Sequence, residues 1–174
     1  MAAPAFNLTG EALRNKLLTY VNVGTNAAPI WEIQGIKTED ASYELNPDVT
    51  TVTDILGITY TDVNKVEPQL TMDPNTLRMG AKLSEKLLDI FRRRAYEEFQ
   101  QFQVLTVWGM LGTAGAYEAD LEDSCTIHPT TIGGSSRVNM PYTIILSNKI
   151  TKGTVDVLFP AEDITFTPTV VVGG

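Results

Sequence analysis

Polar and apolar residues alternate with a period of two along most of this 174-residue chain, and that period sends successive side chains to opposite faces of a strand. Trp31, Ile33 and Gly35 alternate with Glu32 and Gln34, and Tyr43, Leu45 and Val49 with Glu44, Asn46 and Asp48. Val66, Leu70 and Met72 alternate with Glu67, Gln69, Thr71 and Asp73. The longest series sets Tyr117, Ala119, Leu121, Cys125 and Ile127 against Glu118, Asp120, Glu122, Ser124 and Thr126. Met140, Tyr142, Ile144 and Leu146 share one parity, as do Val155, Val157 and Phe159, and then Ile164, Phe166, Val170 and Val172. Turn formers separate these runs at Asn46-Pro47-Asp48, Asp73-Pro74-Asn75, Gly133 to Ser136 and Lys152-Gly153, where proline, glycine and asparagine meet the backbone demands of a turn. The pattern predicts a mainly β protein, an antiparallel β-sandwich or barrel.

One segment follows a different period. Leu83, Leu87, Phe91, Ala95 and Phe99 recur every four residues, with charged residues on the other faces, which predicts a single amphipathic helix over about 81–100. Leu83, Leu87 and Phe91 form the stripe expected to pack on the sheet. Asp89 with Arg93 and Arg94 with Glu98 are four apart and opposite in charge, each pair adding a few tenths of a kcal/mol to a helix. Gly80 and Ser84 compete as its starting point.

Composition reinforces the β reading and narrows the chemistry. Threonine, valine and isoleucine number 22, 14 and 12, and their branched Cβ atoms suit a pleated surface. The length fits one domain over 1–174, with an N-terminal arm over about 1–17. The net charge of −8 argues against a surface that attracts phosphates as a whole. Residues 36–77 hold two lysines against eight acids, and the part over about 36–62 reads as an acidic extended loop or hairpin. A single cysteine, Cys125, and a single histidine, His128, exclude an internal disulfide, a thiolate cluster and two-histidine metal sites. No stretch reaches the roughly 18 apolar residues of a membrane-spanning helix, and the N-terminus has no secretory pattern. The expected setting is a reducing cytoplasm.

The remaining candidates for chemistry give way to structural explanations. Gly109, Gly112 and Gly115 lack the spacing of a phosphate-binding loop and precede a strand pattern rather than a helix, so a turn or bulge is expected. Asp120, Glu122 and Asp123 lack a calcium-loop frame, and Glu118, Asp120 and Glu122 read as a solvated acidic strand face. Asp123 falls on the other parity, as at a bulge or strand end. Cys125 and His128, three apart on a strand, point to opposite faces and form no catalytic pair. Arg92, Arg93 and Arg94 read as salt-bridge partners near a helix C-terminus. No catalytic residue, cofactor or metal site is expected.

The order of segments resembles the major tail tube proteins of long-tailed bacteriophages, a fold shared with contractile-tail and secretion tubes. The residues behind the resemblance are Trp31 to Gly35, Asp54 to Tyr60, Glu67 to Pro74, the amphipathic helix, and the late pair Asn139 to Ile145 and Lys152 to Val157. It covers roughly residues 20–160. It implies a non-enzymatic virion protein that assembles into stacked, sixfold rings, the conduit through which DNA passes without specific binding. The implied partners are further copies of the chain, a tape measure protein and terminator or baseplate proteins, with assembly in the bacterial host cytoplasm. The resemblance also implies that Glu118, Asp120 and Glu122 line the lumen. An acidic loop with Glu39, Asp40, Glu44, Asp48 and Asp54 would bridge adjacent rings. The alternative is a non-catalytic small-ligand-binding β-barrel, which needs an apolar internal cavity.

Overall fold

The computed structural model describes residues 10–36, 38, 41–158 and 164–170. The strands are β1 (Leu17–Asn22), β2 (Trp31–Ile33), β3 (Tyr43–Glu44), β4 (Pro47–Thr53), β5 (Thr59–Val66), β6 (Gln69–Met72), β7 (Phe102–Thr113), β8 (Ala116–Pro129), β9 (Tyr142–Ile145), β10 (Ile150–Val155) and β11 (Phe166–Pro168). One α-helix among the described residues, α1 (Lys82–Arg93), lies between β6 and β7. The protein is therefore mainly β, as the alternation predicts. Among the described residues all pairings are antiparallel, and β4 and β5 pair only with each other as a separate two-stranded hairpin.

Strand β8 belongs to both halves of the main sheet. Its first half joins β7 to β10, giving the order β2-β1-β7-β8-β10-β11, and its second half pairs with β9, which leads on to β6 and β3. The change occurs at a bulge: Val104 faces Glu122 while Phe102 faces Cys125, so β8 holds one residue more than β7 over this stretch. Ser124 takes up the extra residue with φ +58, and the strand bends there. One inserted residue flips the parity. Glu122 and Cys125 thus share a face, along with Val104 and Phe102.

Each face of the sheet has its own core. Val21, Phe102, Val104, Cys125 and Ile127 pack with Leu83, Leu87 and Ile90 of α1 and with Leu70, Met72, Tyr142 and Ile144. On the opposite face Tyr20, Trp31, Leu105, Val107, Ala119, Val155 and Ile164 form the second cluster. Strands β1 and the first half of β7 run between the two cores and are buried on both sides. Their sequences, Leu-Leu-Thr-Tyr-Val-Asn and Phe-Gln-Val-Leu-Thr-Val-Trp, accordingly lack clean alternation. A 3-10 segment at Arg14–Lys16 leads into β1 at Leu17, and residues 1–9 of the expected N-terminal arm lie outside the described residues.

Four expectations are corrected. The helix does not continue to residue 100: it ends at Arg94, which has φ +61 and donates its N–H to Ile90 and Phe91, and Tyr96–Gln100 form a separate 3-10 segment. Phe91 is half-buried, and Ile90 takes the fully buried place beside Leu83 and Leu87. The expected Asp89–Arg93 pair forms at 2.7 Å within the helix, but the expected Arg94–Glu98 pair is replaced, because the turn brings Arg93 to both oxygens of Glu98, while Arg94 lies over the Phe91 ring at 4.5 Å. Lys152-Gly153 is not a turn but the middle of β10.

Gly153 is required there by space. A Cβ would lie 2.4 Å from the Thr167 carbonyl oxygen and 2.5 Å from the Phe166 ring, so β11 could not stay in place. Gly153→Ala is expected to cost about 1–3 kcal/mol and to lower the melting temperature. An unchanged melt would mean that β11 does not cover this strand.

The helix start is set by tertiary structure. Glu32, on β2, accepts the N–H groups of Lys82 at 2.8 Å and Leu83 at 3.3 Å, a carboxylate at the positive end of the helix. Neither Gly80 nor Ser84 supplies that cap.

Candidate assembly surfaces

The hairpin of β4 and β5 stands apart from both cores. Every residue of β4 and all but Val66 of β5 are exposed. Val49 faces Val63 and Val52 faces Tyr60 across the strands, so each side of the ribbon carries one apolar pair among threonines. Its base is tied down by Asn148, whose side-chain N–H reaches the Val66 carbonyl at 3.1 Å. The arm runs from Pro47 to Val66, later at both ends than the expected 36–62, because Tyr43 and Glu44 pair with Leu70 and Gln69 in the body.

The tip is ordered by its own residues. Asp54 Oδ1 accepts the N–H groups of Leu56 at 2.8 Å and Ile58 at 3.0 Å, and its N–H donates to the Ile58 carbonyl. Gly57 takes φ +78, a conformation that favours glycine. The turn leaves Ile55 fully exposed and Leu56 77% exposed. Two large, exposed apolar side chains on an ordered turn at the end of a polar arm mark a surface suited to a contact.

The residues expected in the bridging loop separate. Asp54 shapes the tip and Asp48 sits at the base of the arm, while Glu44 belongs to the body, where it accepts a hydrogen bond from Gln69 at 3.0 Å. Glu39 and Asp40 lie outside the described residues. Ile55 and Leu56 were missed as functional candidates. The signal in the sequence was two apolar residues between turn formers, out of register with any strand.

The expected acidic stripe of β8 is not uniformly solvated. Glu118 is half-buried, opposite Trp108 and Thr154. Asp120 accepts hydrogen bonds from the Trp108 indole N–H at 3.0 Å and from Lys152 at 2.8 Å. Lys152 faces Asp120 across β10 and neutralises it. Glu122 is only 5% exposed, and its Oε2 accepts the Asn148 N–H at 3.0 Å. Burial pushes the Glu122 carboxyl above its ordinary value, and the nearby Asp120 charge adds to the rise. On the same face Tyr43 hydroxyl joins Thr19 at 2.7 Å and Thr106 at 3.1 Å, where desolvation holds its phenol above the ordinary value. Glu122 is therefore a buried acid rather than part of a solvated face.

A cleft of about 660 Å³ lies between β2 and the 75–84 segment, lined by Ile30, Ile33, Ile36, Arg78, Met79 and Lys82 among others. Ile30 and Ile36 are exposed, and Met79 is 88% exposed. Across it, Tyr142 hydroxyl donates to Gln34 Oε1 at 2.5 Å. Glu32 is committed to the helix start, whereas Arg78 and Lys82 form no ion pair among the described residues. The cleft thus has mixed walls, with Ile30, Ile36 and Met79 beside Gln34, Asn75 and Ser84, and two cations at Arg78 and Lys82.

The other residues singled out do structural work. Gly112 has φ +85 at the irregularity of the β7–β8 hairpin and Gly115 has φ +85 at its turn, and a Cβ on Gly109 would strike the Leu158 side chain. Cys125 is buried, its thiol raised to about 11 by desolvation; His128 lies on the opposite face of β8, facing Thr143. No group of three or more metal-ligating side chains that could hold an ion occurs among the described residues. No described helix is long and apolar enough to cross a membrane.

No family model matches the chain, and no curated protein matches it. A solved structure similar to it is that of the anti-feeding prophage cap, described as the AFP tube terminating cap. The two are 12% identical over 88% of this chain and 99% of that one, with a TM-score of 0.47. A likeness of that degree assigns no role to any residue here.

Proposed function

We propose that this chain is a structural subunit that assembles with copies of itself into stacked rings, a tail tube through which DNA passes. The observation that carries this reading is the arm of β4 and β5, a ribbon with no apolar support from its own body and an apolar tip. Such a feature costs solubility unless another surface covers it. Among the described residues the main sheet also ends at β2, β3 and β11, edges that lateral pairing between subunits would close. A head-to-tail contact through the arm does not close on itself and so propagates as a stack. The resemblance of the segment order to tail tube proteins supplies the biological setting: sixfold rings, a virion location, and tape measure and terminator proteins as partners.

The space between the two halves of the sheet is filled by Leu70, Met72, Leu87, Phe102, Ile127 and Ile144, all buried, which favours the assembly reading over a ligand-binding barrel. Within the tube reading, Glu118 is the remaining acid of the stripe able to face DNA as a net charge, since Asp120 is paired and Glu122 is buried.

Sedimentation velocity and negative-stain electron microscopy test the reading. Rings or heterogeneous polymers are expected as concentration rises, and a monomer or closed dimer at every concentration would overturn it. Joining Pro47 to Val66 through a two-residue Asn-Gly turn removes the arm. That variant is expected to keep the melting temperature of the domain and to form rings without long tubes. Tubes of normal length would show that the arm does not link rings.

A further inference from the structure

Resting on the assembly reading above, we infer that the arm tip of one copy docks in the cleft between β2 and the 75–84 segment of another. The donor is defined by Ile55 and Leu56, held out on the turn that Asp54 and Gly57 fix. The acceptor is defined by Ile30, Ile36 and Met79 around a cleft of about 660 Å³, a size within the range that encloses small ligands.

Three features select this pairing. The first is reach: at about 3.4 Å per residue the eight residues of β5 carry the tip about 25 Å from its base. The exposure of Ile55 and of Met79 means that neither surface is covered by its own chain. The second is charge, because the arm carries Asp48, Asp54 and Asp62 against Lys65 alone, while Arg78 and Lys82 line the cleft without an ion pair among the described residues. Opposite charge at the rim guides encounter and fixes orientation. The third is a contrast with a second groove of about 520 Å³ lined by Leu17, Leu18, Ile33 and Met72. Its cation, Arg14, is already held by the carbonyls of Leu17 and Ala41 at 2.5 and 2.6 Å.

The contact is between different surfaces of identical chains, so each docked copy offers a new tip or a new cleft. It is therefore able to continue from ring to ring. The tip residues would act as buried anchors, with the charged rim excluding water around them.

The test mixes two single-cysteine proteins, Leu56→Cys and Met79→Cys, each also carrying Cys125→Ser to remove the buried native thiol. On mild oxidation the mixture is expected to give a disulfide-linked dimer that neither protein gives alone at the same total concentration. In parallel, Met79→Asp and Arg78→Glu in the full chain are each expected to raise the concentration needed for assembly by at least about tenfold, the scale of losing one interface anchor. Their melting temperatures should stay unchanged, since both residues lie outside the two cores. Normal assembly by both variants together with no cross-link would overturn the docking site while leaving ring formation intact. A cross-link of Leu56→Cys to a cysteine placed at Leu17, but not at Met79, would move the site to the second groove and equally overturn it. A wild-type chain that never assembles would overturn the docking site and the tube reading together.

Discussion

Glu122→Lys is expected to lose at least about 3 kcal/mol of stability, the scale of placing an uncompensated charge in a buried site. Set against a total of about 5–15 kcal/mol for a domain, that loss puts the fold at risk. The lysine would replace an acid whose oxygen holds the Asn148 N–H and would add a second cation beside Lys152. Glu118→Lys, two positions along the same strand face beyond Asp120 but half-exposed, should change stability by less than about 0.5 kcal/mol. Urea denaturation of the two variants separates these outcomes, and equal stability would show that Glu122 is solvated after all.

A milder substitution at the same site tests its protonation. Burial raises the folded-state pKa of Glu122 above 4.5, so the folded protein holds that proton more tightly than the unfolded chain does. The stabilising contribution of the neutral carboxyl is complete below about pH 4.5 and is lost as pH rises through the higher folded value. Glu122→Gln keeps an oxygen for Asn148 and cannot ionise. The wild type should therefore lose stability relative to Glu122→Gln as pH is raised from 4.5 to 7.5, and a constant difference across that range would contradict the raised pKa.

The second large effect lies in the helix. Leu87→Ala and Ile90→Ala each remove a side chain with no exposed surface, and each should cost about 2–5 kcal/mol. Phe91→Ala should cost less, because the ring is half-buried and one of its faces is covered by Arg94. Thermal or chemical denaturation gives the ranking directly. A Phe91→Ala loss as large as that of Ile90→Ala would mean that the helix turns a different face to the sheet.

What the sequence determined by itself is the local part of the structure. Period-two alternation marks β8 because each half turns alternate side chains into a core, Ala119 into one before the bulge and Cys125 with Ile127 into the other after it, and it marks β9 through Tyr142 and Ile144. The four-residue stripe marks α1 because Leu83 and Leu87 recur at the helical repeat. The parity break at Asp123 was legible as well, and it is the bulge at which β8 changes partners. The arm was legible as an acidic extended segment because threonine, aspartate and valine suit a solvated ribbon. Its ends were not, since pairing of Tyr43 and Glu44 with β6 is a choice among possible partners rather than a property of either segment.

Tertiary structure decided everything that depends on which strand lies next to which. Strands β1 and β7 are hidden from a periodicity argument because cores on both faces remove any need for polar positions. The helix stops at Arg94 because the left-handed turn there brings Arg93 to Glu98, and it starts at Lys82 because a carboxylate from β2 reaches it. Asp120 is neutralised and Glu122 buried only because β10 and the residues before it fold against β8. An acid's charge state depends on its neighbours in space, whereas strand period depends on neighbours in sequence. For that reason the chain alone marks the strand that carries these carboxylates but not which of them meets solvent.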